Sequence, residues 1–338
     1  MVRPLITWTA LNEAIEMTRT LMVLAGLTAV AGFGLASGAS AQADTDVRWV
    51  TAWGTSQQSL GSTTITNATV RMIARVTAGG GSVRVRLDNT FGETPLVIGE
   101  AYIGPVMRRA ALTPGSNNQV RFDSSGTVTI PAGGTVESDP IEMDVMARQD
   151  LAVSLYIPEA NVQPSQHGQA YVTSYLSDNG SGNVASTESA EPFTGTTTST
   201  FWLKAIDVLS ESATGSIVGF GDSITDGSCS TLDAHDRWQD WVAARLYLAS
   251  PDAHPAMVNE GIGGNTVTSE GVQPPPNSPP GIERLERDVF YGSAGSRRDG
   301  GACGLETHRG GPGASPADGL SLEYRAGDRA VLHPRRGR

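Results

Sequence analysis

Ser223 stands in a sequence setting that could turn its hydroxyl into a nucleophile. Residues 221–227 read GDSITDG and follow a short apolar run at 216–220. A serine hydroxyl is a poor nucleophile unless a base takes its proton and hydrogen-bond donors hold the oxyanion that develops. A tight turn after a buried strand, flanked by Gly221 and Gly227, can present this hydroxyl beside free backbone amides. The segment therefore indicates nucleophilic chemistry at Ser223.

A second glycine-rich turn follows the next short strand of the chain. Residues 256–259 read AMVN and residues 261–265 read GIGGN. Backbone amides of such a turn can donate to an oxyanion, and glycine permits close approach because it has no Cβ. Ligands of parallel α/β sheets bind beyond the carboxyl ends of the strands, and both turns are expected there.

Two helices are expected to alternate with these strands. Asp236 can cap the first helix, with Gln239 three positions on as in a capping box. The apolar side of that helix is predicted to consist of Trp238, Trp241, Val242 and Leu246. Ile282, Leu285 and Val289 lie on one face of the second helix. The order strand, helix, strand, helix predicts a parallel α/β sheet.

Residues 47–206 have the pattern of an all-β domain instead. Residues 151–157 alternate in polarity, which predicts a half-buried strand with one face formed by Leu151, Val153, Leu155 and Ile157. Residues 70–76 and 83–87 flank three glycines at 79–81 and are predicted to form a hairpin. Many short strands separated by Gly and Pro turns favour a β-sandwich or jelly roll.

These segments resemble the GDSL/SGNH hydrolases, a family of esterases and lipases. GDSITDG at 221–227 is similar to the family's first sequence block, and VNEGIGGNT at 258–266 is similar to its second. WVTAW at 49–53 resembles the subgroup with a β-sandwich ahead of the hydrolase domain. The resemblance implies an all-β sandwich at 47–206. It implies the N-terminal half of a flavodoxin-like α/β SGNH hydrolase domain at 213–291.

The resemblance also implies roles for individual residues. Ser223 matches the family's nucleophile, and its own amide is one oxyanion donor. Gly264 matches the oxyanion glycine of the second block, with Gly263 as the near alternative. The implied reaction is hydrolysis of a carboxylic ester through an acyl-serine, with no metal and no cofactor. The competing interpretation is that Asp222 and Ser223 merely end a strand and cap a helix.

Two further blocks of the family have no counterpart in this sequence. The third supplies an Asn as an oxyanion donor, but no Asn follows Asn277. The fourth is Asp-x-x-His, which supplies the base, whereas Asp328 and His333 are spaced Asp-x4-His. The other histidines are predicted to be surface residues: His167, His235, His254 and His308. We therefore expect impaired activity, with the base unidentified.

Residues 292–338 differ in composition from the rest of the chain. They contain 11 Gly, 8 Arg and 3 Pro among 47 positions. Such a segment cannot supply the missing strands and helices of an α/β sheet, and it is predicted to be an aberrant, disordered tail. A shift of reading frame near Tyr291 in a GC-rich gene would produce this composition. Cys229 could pair with Cys303 in an exported protein, but we favour an unpaired Cys229.

The overall composition excludes several classes of protein. The chain has 338 residues, enough for two domains, and its 24 Lys and Arg against 35 Asp and Glu give a net charge of −11. An acidic chain argues against nucleic acid as the main partner, because phosphate binding needs a basic face. Two cysteines exclude a disulfide framework and a four-cysteine zinc site. Lys204 is the only lysine.

The N-terminus has the pattern of an export signal. Residues 21–35 are apolar, Arg19 precedes them, and ASAQA at 39–43 offers two A-x-A cleavage sites. Residues 1–43 are interpreted as an N-terminal extension with a signal peptide, and Met17 is the expected start. The alternative is an uncleaved anchor, although a membrane span needs about 20 apolar residues. The protein is expected to be secreted or periplasmic in a bacterium, without a stable membrane span after cleavage.

Three functional interpretations follow. The first is an exported serine esterase acting on a small-molecule or polysaccharide ester. The second is a β-sandwich binding module, for example for carbohydrate, joined to an inactive hydrolase remnant. In that case Trp49, Trp53 and Trp202 are candidate stacking residues, with burial in the core as the competing role. The third is a polypeptide that does not fold.

Overall fold

The computed structural model describes residues 47–270 and 278–290, together with three short strands further along the chain. The chain divides into two compact units, Met1–Asp44 and Thr45–Arg338. The first unit lies outside the described residues, and so do the predictions of a signal peptide in 1–43 and of a start at Met17.

The first 17 strands are here called the two-sheet region, because twelve of them build two antiparallel sheets around a hydrophobic core. The other five form a three-stranded sheet and a separate strand pair. The 17 strands are β1 Arg48–Gly54, β2 Ser59–Leu60, β3 Ala68–Arg75, β4 Gly80–Asp88, β5 Leu96–Ile98, β6 Glu100–Arg108, β7 Ala111–Leu112, β8 Asn118–Val120, β9 Val128–Ile130, β10 Thr135–Glu137, β11 Ile141–Val145, β12 Asp150–Ile157, β13 Ser165–His167, β14 Ser174–Leu176, β15 Gly195–Thr197, β16 Thr200–Phe201 and β17 Leu203–Ser210. One sheet has the order β1-β17-β4-β10, with β11 also on β4. The other has the order β15-β14-β3-β12-β6-β7, with β8 also on β6. The prediction that this part of the chain is rich in β-strands is therefore confirmed, while the bounds of a separate domain stay a prediction.

Strand β12 illustrates why the periodic signal works in this region. Its predicted inward residues Leu151, Val153, Leu155 and Ile157 are all fully buried. Ala152 and Ser154 on the opposite face are buried too, because Ala152 belongs to a second apolar cluster and the Arg71 guanidinium donates to the Ser154 hydroxyl. The strand is therefore more deeply buried than the half-buried strand that alternation predicted.

The hairpin predicted around residues 79–81 is wrong. Strands β3 and β4 lie in different sheets: β3 pairs with β12 and β14, and β4 pairs with β17, β10 and β11. The glycines serve close packing instead. A Cβ on Gly79 would lie 2.5 Å from the Val145 carbonyl oxygen, and one on Gly80 would lie 2.2 Å from the Leu209 carbonyl oxygen. Only glycine lets these backbones approach so closely.

The following part of the chain, here called the βα segment, carries two parallel strands. It contains β18 Ala213–Gly221, α1 Ser223–Asp226, α2 Trp238–Ala249, β19 His254–Gly261, α3 Gly281–Leu285 and a π-helical turn Glu286–Phe290. Strands β18 and β19 pair in parallel from Ala213 opposite His254 to Gly221 opposite Gly261. Their apolar side chains form a small core with the π-helical turn, made of Val218, Phe220, Val258 and Val289.

Within residues 292–338 the structure describes three strands, β20 Cys303–Leu305, β21 Leu320–Glu323 and β22 Val331–Pro334. Strand β20 pairs in parallel with β18, and β21 pairs antiparallel with β22. The rest of the segment lies outside the described residues, so its disorder stays a prediction. No described helix is long and apolar enough to cross a membrane.

Helix α2 departs from its prediction in its cap and in its buried side. Its N-cap is Arg237, whose amide donates to the Asp240 carboxylate over 3.1 Å, and not Asp236. Trp241, predicted to face the core, is 62% exposed. The buried side consists of Gln239, Ala243 and Ala244, because small side chains let the helix approach the parallel strands.

Candidate functional site

Ser223 begins a single helical turn directly beyond the carboxyl end of β18. The Asp222 side chain accepts the amide of Ile224 over 2.9 Å and caps this turn. The turn closes at Gly227, whose φ of 109° favours glycine and whose amide donates to the Ser223 carbonyl oxygen over 3.0 Å. Ser223 is half-buried, and its hydroxyl makes no hydrogen bond with another described residue. Asp222 does cap a helix, as the competing interpretation expects.

The second glycine-rich turn lies at the same end of the parallel strands. Gly221 pairs with Gly261, and the Ile262 amide donates to the Gly221 carbonyl oxygen over 3.1 Å. The fit is tight: a Cβ on Gly261 would lie 2.2 Å from the backbone nitrogen of Asp226. The two turns therefore contact each other directly.

Gly263 and Gly264 differ in what their amides do. The Gly263 amide donates to Asp226 Oδ2 over 2.8 Å. The Gly264 amide has no hydrogen-bond partner among the residues that the structure describes. Gly264 also has a φ of 73°, and open space surrounds the position of an added Cβ. Of the two glycines, only Gly264 keeps its amide free for a ligand.

His167 of β13 reaches from the two-sheet region to the turn that follows Ser223. Its Nε2 lies 3.0 Å from Asp226 Oδ1, and its Nδ1 lies 2.9 Å from the Ser56 carbonyl oxygen. Both oxygens are hydrogen-bond acceptors, so both ring nitrogens must carry a hydrogen to donate to them. The ring does so only as the imidazolium. Burial lowers the pKa of His167, but the charge of Asp226 and both hydrogen bonds outweigh it and hold the pKa above its usual value.

The described histidines supply no base for Ser223. Both nitrogens of His167 are engaged, and no hydrogen bond joins Ser223 to His167, His235 or His254. The prediction that His167 and His254 lie on the surface is wrong, because each is only 2% exposed. His308 and Asp328 lie outside the described residues, and of His333 only the backbone in β22 is described.

A buried cluster of charges joins the two-sheet region to the βα segment. Lys204 Nζ of β17 lies 2.9 Å from Asp288 Oδ1 and 3.3 Å from Glu260 Oε2. Ser56 Oγ lies 2.7 Å from the same Glu260 oxygen. Arg284 contacts Asp288 over 3.1 Å and donates to the Gly221 carbonyl oxygen, one residue before the helix cap. The cluster therefore extends to the strand end that carries Ser223.

The charges of this cluster shift one another's pKa values. Burial lowers the pKa of Lys204, but Asp288 and Glu260 raise it above the usual value. Burial raises the pKa of Asp288, but Lys204, Arg287 and Arg284 hold it far below its usual range. Burial raises the pKa of Glu260 more strongly than Lys204 lowers it. In the sequence, Lys204 stands out only as the single lysine. Its place inside an apolar strand was the signal that could have revealed a buried pair.

A cleft opens beside the contact between the two-sheet region and the βα segment, and its wall has both polar and apolar side chains. Its lining includes Trp53, His167, Asp226, His235 and Arg237, whereas neither Ser223 nor Gly264 lines it. Burial and the charge of a nearby arginine lower the pKa of His235.

The three tryptophans proposed as stacking residues differ in exposure. Trp202 is fully buried in the core, and Trp49 is half-buried with the Arg84 guanidinium 4.1 Å from its ring centre. Trp53 is half-buried and lines the cleft. Of these three tryptophans, only Trp53 therefore lines the cleft.

Metal and thiol chemistry have few candidate groups in the described part of the chain. No three His, Cys, Asp or Glu side chains there are arranged to hold a metal ion. Cys229 is exposed and is not in a disulfide with any described residue. Its unpaired state was the favoured prediction, and the side chain of Cys303 lies outside the described part.

Comparison with known proteins adds no family. No protein-family model matches the chain, and no curated protein matches it significantly.

Proposed function

We propose that this chain is an exported serine esterase of the GDSL/SGNH type, with a β-sandwich ahead of the first part of an α/β hydrolase domain. Ser223 Oγ attacks the carbonyl carbon of a carboxylic ester, the alcohol leaves with a proton, and water releases the acid from the acyl-serine. The observation that carries this proposal is the parallel register that pairs Gly221 with Gly261. This register brings the two glycine-rich turns to one edge.

Two backbone amides are the oxyanion donors in this proposal, those of Ser223 and Gly264. Neither amide has a hydrogen-bond partner among the described residues, which supports their availability. The Gly263 amide is engaged by Asp226, so Gly264 is preferred over its neighbour. An alanine at 264 would require the left-handed backbone that L side chains rarely adopt.

The activity of this chain is proposed to be impaired. The family's Asn donor has no counterpart, and losing one oxyanion donor costs about 10²–10³ in rate. No described base contacts Ser223, and an enzyme without triad members retains about 10³–10⁴ over the reaction in water. We therefore expect weak turnover that still depends on Ser223.

The proposal is tested by hydrolysis of p-nitrophenyl acetate. Four proteins are compared: this chain, Ser223→Ala, Ser228→Ala and the product of a gene whose reading frame is restored after codon 291. Ser228 is an exposed serine five residues after the candidate nucleophile, so its variant controls for adventitious acylation of a surface hydroxyl. We expect Ser223→Ala to lose the weak activity, Ser228→Ala to retain it, and the restored protein to be clearly more active.

Full activity in Ser223→Ala would overturn the esterase assignment. Sequencing the gene around codon 291 tests the frameshift independently. The frameshift proposal fails if no reading frame downstream encodes a Gly-x-Asn-Asp block and an Asp-x-x-His block.

The alternative, a β-sandwich binding module on an inactive remnant, is supported by one observation. Trp53 lines a cleft together with charged and polar side chains, and an aromatic side chain beside polar groups suits a sugar ring. Carbohydrate affinity that Trp53→Ala removes and Ser223→Ala leaves intact would favour this second function.

A further inference from the structure

Asp226 is the residue through which the two-sheet region contacts the glycine-rich turns. Its carboxylate is almost fully buried, and each of its oxygens has a different partner. Oδ1 lies 3.0 Å from His167 Nε2, and Oδ2 accepts the Gly263 amide over 2.8 Å. Its backbone carbonyl accepts the Asn259 side-chain amide over 3.3 Å. Asp226 therefore connects β13, α1 and the turn that follows β19.

The geometry points to Asp226 as a positioning residue whose carboxylate links His167 of the two-sheet region to the turn that carries Gly264. This inference rests on the proposed function, because it gives the Gly264 amide a task. The Gly263 amide donates to Asp226 Oδ2, and the amide of Gly264 belongs to the next peptide unit along the chain. Only one residue therefore separates the Asp226 contact from the unpaired Gly264 amide. A displaced Asp226 carboxylate would therefore tilt that amide.

Asp226 has no direct role in the chemistry. Its side chain is almost fully buried, and each oxygen already accepts a hydrogen bond, one from His167 and one from Gly263. In this arrangement the two-sheet region is part of the machinery that shapes the oxyanion site, because the partner of Asp226 belongs to β13.

The link is expected to depend on pH through His167. The charged groups that face the ring are Asp226, which favours the imidazolium, and Arg237, the N-cap of α2, which opposes it. Arg75, His235 and Asp240 line the same cleft. When His167 loses its proton, one ring nitrogen becomes an acceptor and faces an oxygen acceptor. Either the contact with Asp226 or the contact with Ser56 is then lost.

Nuclear magnetic resonance can follow this link without any enzyme activity. The amide signals of Gly263 and Gly264 and the ring signals of His167 are recorded across pH. We expect the Gly263 and Gly264 amides to shift with the same midpoint as the His167 ring. In Asp226→Asn this shared titration should disappear. In His167→Gln, a second variant that leaves Asp226 in place, both amides should stop titrating.

Asp233→Asn is the matched control. Asp233 also connects the βα segment to the two-sheet region, because its carboxylate accepts the amide and the hydroxyl of Thr173 over 2.6 and 2.7 Å. It makes no contact with Gly263, so the shared titration should persist in this variant. Glycine amides that titrate unchanged in Asp226→Asn, or that ignore the His167 midpoint in the unmodified chain, would overturn the inference.

Rates with p-nitrophenyl acetate separate this inference from the proposed function. Asp226→Asn should lower the Ser223-dependent kcat by up to about 10²-fold, with KM little changed, as expected for a misplaced catalytic group. Loss of activity in Ser223→Ala together with full activity in Asp226→Asn would refute the positioning role alone. Retained activity in Ser223→Ala, together with the shared titration, would refute the esterase and leave the structural link standing.

Discussion

Lys204 and Asp288 form an ion pair across the junction of the two regions, with 2.9 Å between Nζ and Oδ1. Both side chains are almost inaccessible to solvent, and the two residues are 84 positions apart in the chain. Two buried opposite charges are stable only with good geometry and further hydrogen bonds. Arg284, Arg287, Glu260 and Ser56 supply those partners. The junction is therefore held by a specific network as well as by apolar contact.

Removing the lysine charge should destabilise the protein strongly. Lys204→Met leaves Glu260 and Asp288 buried with one positive charge fewer, and breaking a buried pair in this way costs about 3–5 kcal/mol. The free energy of unfolding is measured by urea denaturation. Arg75→Gln serves as control, because Arg75 and Asp150 form a pair at 2.7 Å that is far more open to solvent, so its loss should cost only about 1 kcal/mol. Equal losses in the two variants would contradict this account of the cluster.

The glycines of the second turn should differ sharply in their tolerance of a methyl group. Gly261→Ala places a Cβ 2.2 Å from the Asp226 backbone, so we expect a loss of stability of about 3 kcal/mol or more. The Cβ of Gly264→Ala meets no atom within 4 Å. The left-handed backbone at this position, with a φ of 73°, should lower the free energy of unfolding by about 1–2 kcal/mol. Thermal unfolding compares them with Gly180→Ala, whose φ of 87° and open surroundings should make it match Gly264→Ala.

The contribution of His167 to stability should fall as pH rises. Its pKa is raised in the folded protein, so the contribution is fully present below the unfolded value of about 6.5 and disappears as pH rises through the folded value. The difference in unfolding free energy between the unmodified chain and His167→Gln should therefore be larger at about pH 6 than at about pH 9. Urea titrations at both pH values measure it. In an Asp226→Asn background this pH dependence should be much smaller, and an unchanged dependence there would argue against the pair.

Local patterns in the sequence were sufficient to predict a strand where large apolar residues recur at every second position. The alternation at 151–157 predicted β12, because inward side chains of a strand recur every second residue. The same kind of pattern failed at residues 79–81. A glycine run between two strands is equally compatible with a tight turn and with close backbone contacts, and the structure uses it for contacts with Val145 and Leu209.

Burial of single side chains was predicted less well than the strands. Trp241 carries a large apolar ring and was expected to face the core, yet Ala243 and Ala244 do so. His167 and His254 are polar and were expected at the surface, yet both are buried. Average hydrophobicity is a weak guide at such positions, because the neighbours that fill or open the space come from distant parts of the chain.

The sequence by itself determined the chemistry that is available at the candidate site. The spacing of Gly221, Ser223 and Gly227 sets a strand-ending turn, since local backbone conformation depends on adjacent residues. Only the tertiary structure decided which groups meet there. It brought His167 to Asp226 and engaged Gly263 while leaving the Gly264 amide free. These contacts depend on sheet register and on packing between two regions, and neither is encoded in a short stretch of residues.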